Sequence, residues 1–251
     1  TVFHITHWKA GSQWVAEVLK QSAPERFVPW QVDGDNNPEF TKKTIEKGKI
    51  YGTVYLPRDE FENALATSPE NRTDFGNSRK FVVIRDLRDT LISLYFSGKI
   101  SHKIINERLD YFRKTLNNMD NEAGLLAMLV EGLGENAIMR SARIQQSWLR
   151  AENVLLLCYE DFLGNETAMF EKIFDYCKLD IDRGRLDEII KFNTFEFVAG
   201  RKRGEEDPNS HLRKGIPGDW KNHFSERLKN EFKDRYGQLL VETGYEKDLN
   251  W

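Results

Sequence analysis

The run "KFVVI" at 80–84 constrains the fold more than any other feature. Four consecutive apolar residues after the lysine suit a strand covered on both faces, as strands of parallel sheets are. A parallel neighbour requires a crossover connection, usually a helix, so strand and helix patterns should alternate around this run. They do. Segments 2–6, 27–32, 49–56 and "NVLLLCYED" at 153–161 read as further strands, and Pro29 interrupts the second of them. Helical spacing appears over 12–21, where Trp14, Val15, Val18 and Leu19 share a face, and over 89–96, where Leu87, Leu91, Leu94 and Tyr95 do. Gly98 stands where that second helix would be capped. Met169, Phe170, Ile173, Phe174 and Cys177 mark another helix, and a last one spans 225–242. The expectation is an α/β fold, a single domain over 1–251. It has a central parallel sheet flanked by helices and a P-loop-like phosphate-binding turn after the first strand.

Composition removes several classes of function. A net charge of -3 provides no basic field for nucleic acid. No apolar run approaches the ~20 residues that span a bilayer. His4, His7 and Lys9 break the amino-terminal stretch, so it is no signal peptide. The protein is expected to be cytoplasmic; a chain that opens on Thr1 is also compatible with a trimmed targeting segment or a longer parent. Cys158 and Cys177 lie in apolar patterns and read as reduced core thiols. Nothing in the sequence indicates an oligomeric state. The polar stretch "GRKRGEEDPNS" at 200–210 reads as a solvated loop or an active-site flap.

Four separated stretches carry unusual combinations. In "FHITHWKAGSQW", a strand passes through a short turn into a helix start, whose free N–H groups favour an anion. Lys9 adds charge, Gly11 allows close approach and Ser12 offers a hydroxyl, but the lysine precedes the glycine, the reverse of a nucleotide P-loop. In "VVIRDLRDTLISLY", Arg85 ends a buried strand, where α/β sheets bind ligands, and Ser93 follows two helical turns later. Asp86, Arg88 and Asp89 beside it read as a surface ion-pair cluster. "CYEDF" puts Tyr159 at another strand end, and "HLRKGIPGDWKNHFS" sets Arg213, Lys214 and Gly215 on a loop before the last helix.

Together these stretches resemble the sulfotransferases that use 3'-phosphoadenosine 5'-phosphosulfate (PAPS). That family's 5'-phosphosulfate loop, T-Y-P-K-S-G-T-x-W, stands here as "THWKAGSQW", and its 3'-phosphate segment, R-N-P-x-D-x-x-V-S-x-Y, as "RDLRDTLISLY". Its Y-E-D and R-K-G-x-x-G-D-W-K-N-x-F elements stand as "YED" and "RKGIPGDWKNHF", the last nearly complete. The resemblance implies that Lys9 touches the oxygen bridging phosphate and sulfate, and that Ala10, Gly11, Ser12 and Gln13 cradle the 5'-phosphate. It further implies that Trp14 stacks near adenine, and that Arg85, Ser93, Arg213, Lys214 and Gly215 hold the 3'-phosphate. Tyr159, Thr194 and Phe195 fall where the family lines the adenosine pocket. The implied reaction moves the sulfuryl group of PAPS to a hydroxyl, or less commonly an amine, of a small-molecule or carbohydrate acceptor without a metal.

The general base departs from the pattern. Where cytosolic members carry K-T-H-L-P, with a histidine base, this chain reads "TVYLP", with Thr53 at the lysine and Tyr55 at the histidine. A tyrosine of ordinary pKa, about 10, is a poor base at neutral pH. Golgi-type relatives use a carboxylate after the second strand, and Asp33 occupies comparable ground, although a turn-forming aspartate would look the same. His7, two residues before Lys9, is another candidate. Trp30, Phe40 and Tyr55 suggest an apolar acceptor pocket, with Tyr55 as its acceptor-binding residue. The rival readings are a P-loop kinase and a nucleotide-binding module that has lost turnover.

Overall fold

A computed structural model describes residues 1–32, 45–66 and 78–251. Its strands are β1 (Val2–Thr6), β2 (Phe27–Val32), β3 (Ile50–Val54), β4 (Arg79–Ile84) and β5 (Val154–Cys158). Among the described residues the helices are α1 (Ser12–Ser22), α2 (Arg58–Ala66), α3 (Leu87–Phe96), α4 (Glu107–Asn117), α5 (Asn121–Val130) and α6 (Ala137–Trp148). After the single turn Tyr159–Phe162 come α7 (Glu166–Cys177), α8 (Arg183–Phe192), the short α9 (Phe195–Ala199) and α10 (Glu226–Glu242). No helix of the described residues is long and apolar enough to cross a membrane.

The chain gathers into two compact units, one of 1–84 with 143–194 and one of 85–142 with 195–251. The first holds the whole sheet, in the order β2-β3-β1-β4-β5, with every pairing parallel. β2 is an edge strand, which is why Pro29 is tolerated there: its missing N–H disturbs at most one ladder. Alternation along β1 sends Val2 to one face and Phe3 to the other. Val2 joins Val15 and Leu19 of α1, Phe170 and Ile173 of α7 and Ile190 of α8 in one core. Phe3 stacks on Tyr51 at 5.4 Å and meets Phe61 of α2 edge-on at 5.1 Å, and Phe61 meets Trp148 at 5.5 Å. With both faces covered, the apolar run at 81–84 is fully buried as its composition demands.

His4 is a fully buried polar residue of β1. It is stacked on Phe81 at 4.8 Å, and neither ring nitrogen has a hydrogen-bond partner. Burial lowers its pKa from 6.5 to about 3. An unfolded histidine gains its proton near pH 6.5 while the folded one stays neutral until about pH 3. On this account alone, stability therefore falls by about 1.4 kcal/mol for each unit that the pH drops across that window. In urea unfolding between pH 7 and 4, His4→Leu should gain on the wild type by that slope below pH 6.5. Parallel pH curves for the two proteins would refute this.

In the second unit α3 does not stop at Gly98. It runs on into a π-helical turn, Ser97–Ser101, in which the His102 N–H donates to the Ser97 carbonyl at 2.7 Å. Gly98 serves packing: a Cβ there would lie 2.3 Å from the Phe112 ring. Neither cysteine forms a disulfide, and burial pushes the Cys177 thiol up to about 12, so it is inert as a nucleophile.

Candidate active site

The turn after β1 has the construction expected of an anion cradle. Lys9 and Gly11 both take left-handed backbone conformations, with φ 66° and 75°. Such a conformation is costly for a lysine and persists where the surroundings impose it, commonly at functional sites. Gly11 is the N-cap of α1 and has no side chain to cap the helix, so the first N–H groups are left to an external acceptor. Gly11 is needed for space as well, since a Cβ would lie 2.8 Å from the Tyr159 ring. Ala10 is buried, Gln13 is exposed, and Ser12 is buried at the first helical position. Trp14 is half-buried and packs edge-on against Tyr159, Phe162 and Phe170.

Side chains behind the turn lock it. The Tyr55 hydroxyl donates to Ser12 Oγ at 2.8 Å, and its ring stacks on Trp8 at 5.7 Å. His7 is fully buried, with Nδ1 2.9 Å from the Trp8 carbonyl and Nε2 2.8 Å from the Gln145 amide. A carbonyl can only accept, so Nδ1 carries the proton and Nε2 accepts from Gln145. Both nitrogens of His7 thus have internal partners, and the geometry suits positioning of the turn. Thr194, at the end of this unit, donates its hydroxyl to the Lys191 carbonyl at 3.1 Å. Asp33 and Phe40 lie outside the described residues, as does the side chain of Trp30.

The second unit carries the cationic elements. Arg85 directly follows β4, and Ser93 is half-buried on α3. Arg213 spreads its guanidinium over Phe96 at 4.4 Å, and Lys214 Nζ lies 2.6 Å from Asp219 Oδ1. Gly215, at φ 67°, admits the ring of Phe195, which a Cβ would approach to 2.6 Å. The cluster read as surface ion pairs is instead buried: Asp86, Arg88 and Asp89 are 6%, 2% and 2% exposed. Arg88 is gripped by Asp86 at 2.7 Å and Glu246 at 2.5 Å, and lies against the rings of Trp220 at 4.0 Å and Trp251 at 4.5 Å, which meet each other edge-on. Asp89 accepts the N–H groups of Gly218 at 2.6 Å and Trp220 at 2.9 Å, clamping the 213–220 loop to α3. Burial raises its pKa against the pull of Arg85 and those two N–H groups.

Asp219 is the keystone of that loop. Burial disfavours its charge, but hydrogen bonds from His223, Lys214, Arg213 and Asn222 outweigh burial and hold the carboxyl far below the carboxylate range. The sequence does not single out Asp219, and it marks Asp89 only as part of a surface ion-pair cluster. The available signal was their position, Asp89 four residues after Arg85 and Asp219 inside the "GDW" that follows the basic pair.

The sulfotransferase domain model matches residues 1–244. This chain belongs to the sulfotransferase family. It is accordingly an enzyme of sulfuryl transfer, and the kinase alternative falls away. The 3-beta-hydroxysteroid sulfotransferase of Cavia porcellus is 25% identical over 98% of this sulfotransferase and 84% of its own length. Sulfotransferase 2A6 of Mus musculus is 22% identical, covering 94% and 83%. Among solved structures, mouse sulfotransferase SULT7A1 complexed with PAP superposes with a TM-score of 0.64 at 16% identity, over 98% of this chain and 88% of that one. Retinol dehydratase in complex with androsterone and inactive cofactor PAP does so at 0.59 and 15%, over 95% and 80%. These likenesses establish the shared α/β fold. Among the described residues, no group of three or more His, Cys, Asp or Glu side chains could hold a metal ion.

Proposed function

We propose that this sulfotransferase transfers the sulfuryl group of PAPS to a hydroxyl of a small-molecule acceptor, releasing adenosine 3',5'-bisphosphate, with residues 1–251 acting as one domain. The observation that carries the reading is the turn at Lys9–Ser12. Two left-handed residues and an uncapped helix start there gather a cation, a hydroxyl and N–H donors at a strand end. That donor set fits a phosphosulfate. PAPS supplies the activated sulfuryl group and a phosphate as leaving group. Lys9 would balance the charge that grows on the bridging oxygen, and Ser12, held by Tyr55, would bind the 5'-phosphate. Arg85, Ser93, Arg213, Lys214 and Gly215 are assigned to the 3'-phosphate, and Trp14, Tyr159, Thr194 and Phe195 to the adenosine. Acceptor deprotonation is assigned to Asp33. Relatives named for a hydroxysteroid favour a small apolar alcohol as acceptor.

Adenosine 3',5'-bisphosphate should raise the melting temperature, as a ligand selective for the native state must, and ATP, without a 3'-phosphate, should do so far less. Charge-assisted bonds to a dianion are worth roughly 1.5–3 kcal/mol, so Arg213→Ala should weaken bisphosphate affinity about tenfold to a hundredfold. Equal stabilisation by both nucleotides, or unchanged affinity in a folded Arg213→Ala, would contradict the assignment. Turnover of labelled PAPS on an alcohol panel separates the enzyme from a lapsed binding module, which would bind the bisphosphate and make no product.

A further inference from the structure

Two carboxylates face the Arg213–Lys214 pair, and they are built differently. Asp219 has a side chain only 3% exposed and is shared among Arg213, Lys214, His223 and Asn222. It cannot leave without stranding four donors. Glu206 has a side chain 36% exposed, its Oε1 2.5 Å from Arg213 Nη1 and its Oε2 3.7 Å from Lys214 Nζ. The 200–210 segment folds back to deliver it. The Gly204 N–H donates to the Lys214 carbonyl at 2.8 Å and the Asp207 N–H to the Arg213 carbonyl at 2.9 Å. Arg201 lies over the Phe195 ring at 4.9 Å and donates to the carbonyls of Leu212 and Arg213. The stretch is therefore a tied loop whose backbone registers on the cationic pair.

Charge decides what this means. Two cations against two carboxylates sum to zero, which leaves little attraction for an incoming dianion. With Glu206 withdrawn, the pair and Asp219 carry one net positive charge, and the Nη1 edge of Arg213 is released for an external oxyanion. We propose that Glu206 is a displaceable counter-ion that occupies Arg213 until the 3'-phosphate of a nucleotide replaces it, and so sets both the affinity for 3'-phosphorylated nucleotides and the ease of their release. The proposal rests on the reading of Arg213 and Lys214 as the 3'-phosphate grip. Its consequence is kinetic: a carboxylate waiting to reclaim the arginine hastens departure of the bisphosphate product, a step that limits turnover in many enzymes.

Titration calorimetry with adenosine 3',5'-bisphosphate and adenosine 5'-phosphate on the full chain tests it. Glu206→Gln should tighten the bisphosphate about threefold to tenfold, mainly through slower release, and leave the monophosphate unchanged. Glu206→Asp, one methylene shorter, should give a smaller gain, and Glu205→Gln none. If Glu206→Gln matches or weakens wild-type bisphosphate affinity while the wild type still prefers the bisphosphate strongly, the counter-ion role is overturned and the 3'-phosphate reading stands. Equal tightening of both nucleotides overturns it too, because the effect would not run through the 3'-phosphate. If the wild type binds both nucleotides alike, the 3'-phosphate reading fails and the proposal falls with it.

Discussion

Lys9→Ala should lower kcat by on the order of a hundredfold or more, about 2.7 kcal/mol of transition-state stabilisation. The reason is where the charge appears. As the S–O bond of PAPS breaks, negative charge grows on the bridging oxygen, and a cation there contributes more in the transition state than in the ground state. Affinity for the bisphosphate product should fall much less, because Arg85, Arg213 and Lys214 are assigned to the other phosphate. The substitution is clean in the backbone: alanine, like lysine, has a Cβ, so the φ of 66° at this position costs both residues alike. Steady-state kinetics and calorimetry on the same preparation give the two quantities. If affinity drops in step and kcat holds level, Lys9 is only a phosphate anchor.

Arg88→Met should cost about 3–5 kcal/mol of stability, among the largest effects of any single change in this chain. Methionine keeps much of the volume against Trp220 and Trp251 but takes the guanidinium away from Asp86, a buried charge whose side chain is 9% exposed. Arg88→Lys should recover little, since an ammonium cannot span Asp86 and Glu246 with a planar fork and loses the guanidinium's contact with both indoles. Melting temperature should fall by roughly 10 °C. A loss below about 2 °C would mean that the ion pair and the aromatic contacts contribute nothing net.

The strands were legible because a continuous apolar run has few alternatives, and 81–84 is buried on both faces as its composition required. The Lys9–Ser12 turn and the Arg213–Gly215 loop were legible through local spacing. Misreadings arose where the deciding partner is far away in the chain. Gly98 looked like a helix cap, but Phe112, fourteen residues on, is what excludes a side chain there. Asp86, Arg88 and Asp89 looked like surface charges because their partners, Gly218, Trp220 and Glu246, lie more than a hundred residues downstream. Glu206 was invisible for a different reason: Arg213 is only seven residues on, but it takes a folded-back loop to make an ordinary glutamate its neighbour.

The contact between Phe195 and Gly215 restricts how this lineage can drift. The aromatic ring rests against bare backbone, with 2.6 Å separating it from any Cβ at 215. Neither position can change size freely while the other stays as it is. Divergent members of the lineage should therefore show compensated exchange, with a side chain at 215 accompanied by a shrunken residue at 195 and never by an intact phenylalanine. Such paired replacement would record, across sequences, a steric dependency that a single chain displays only once.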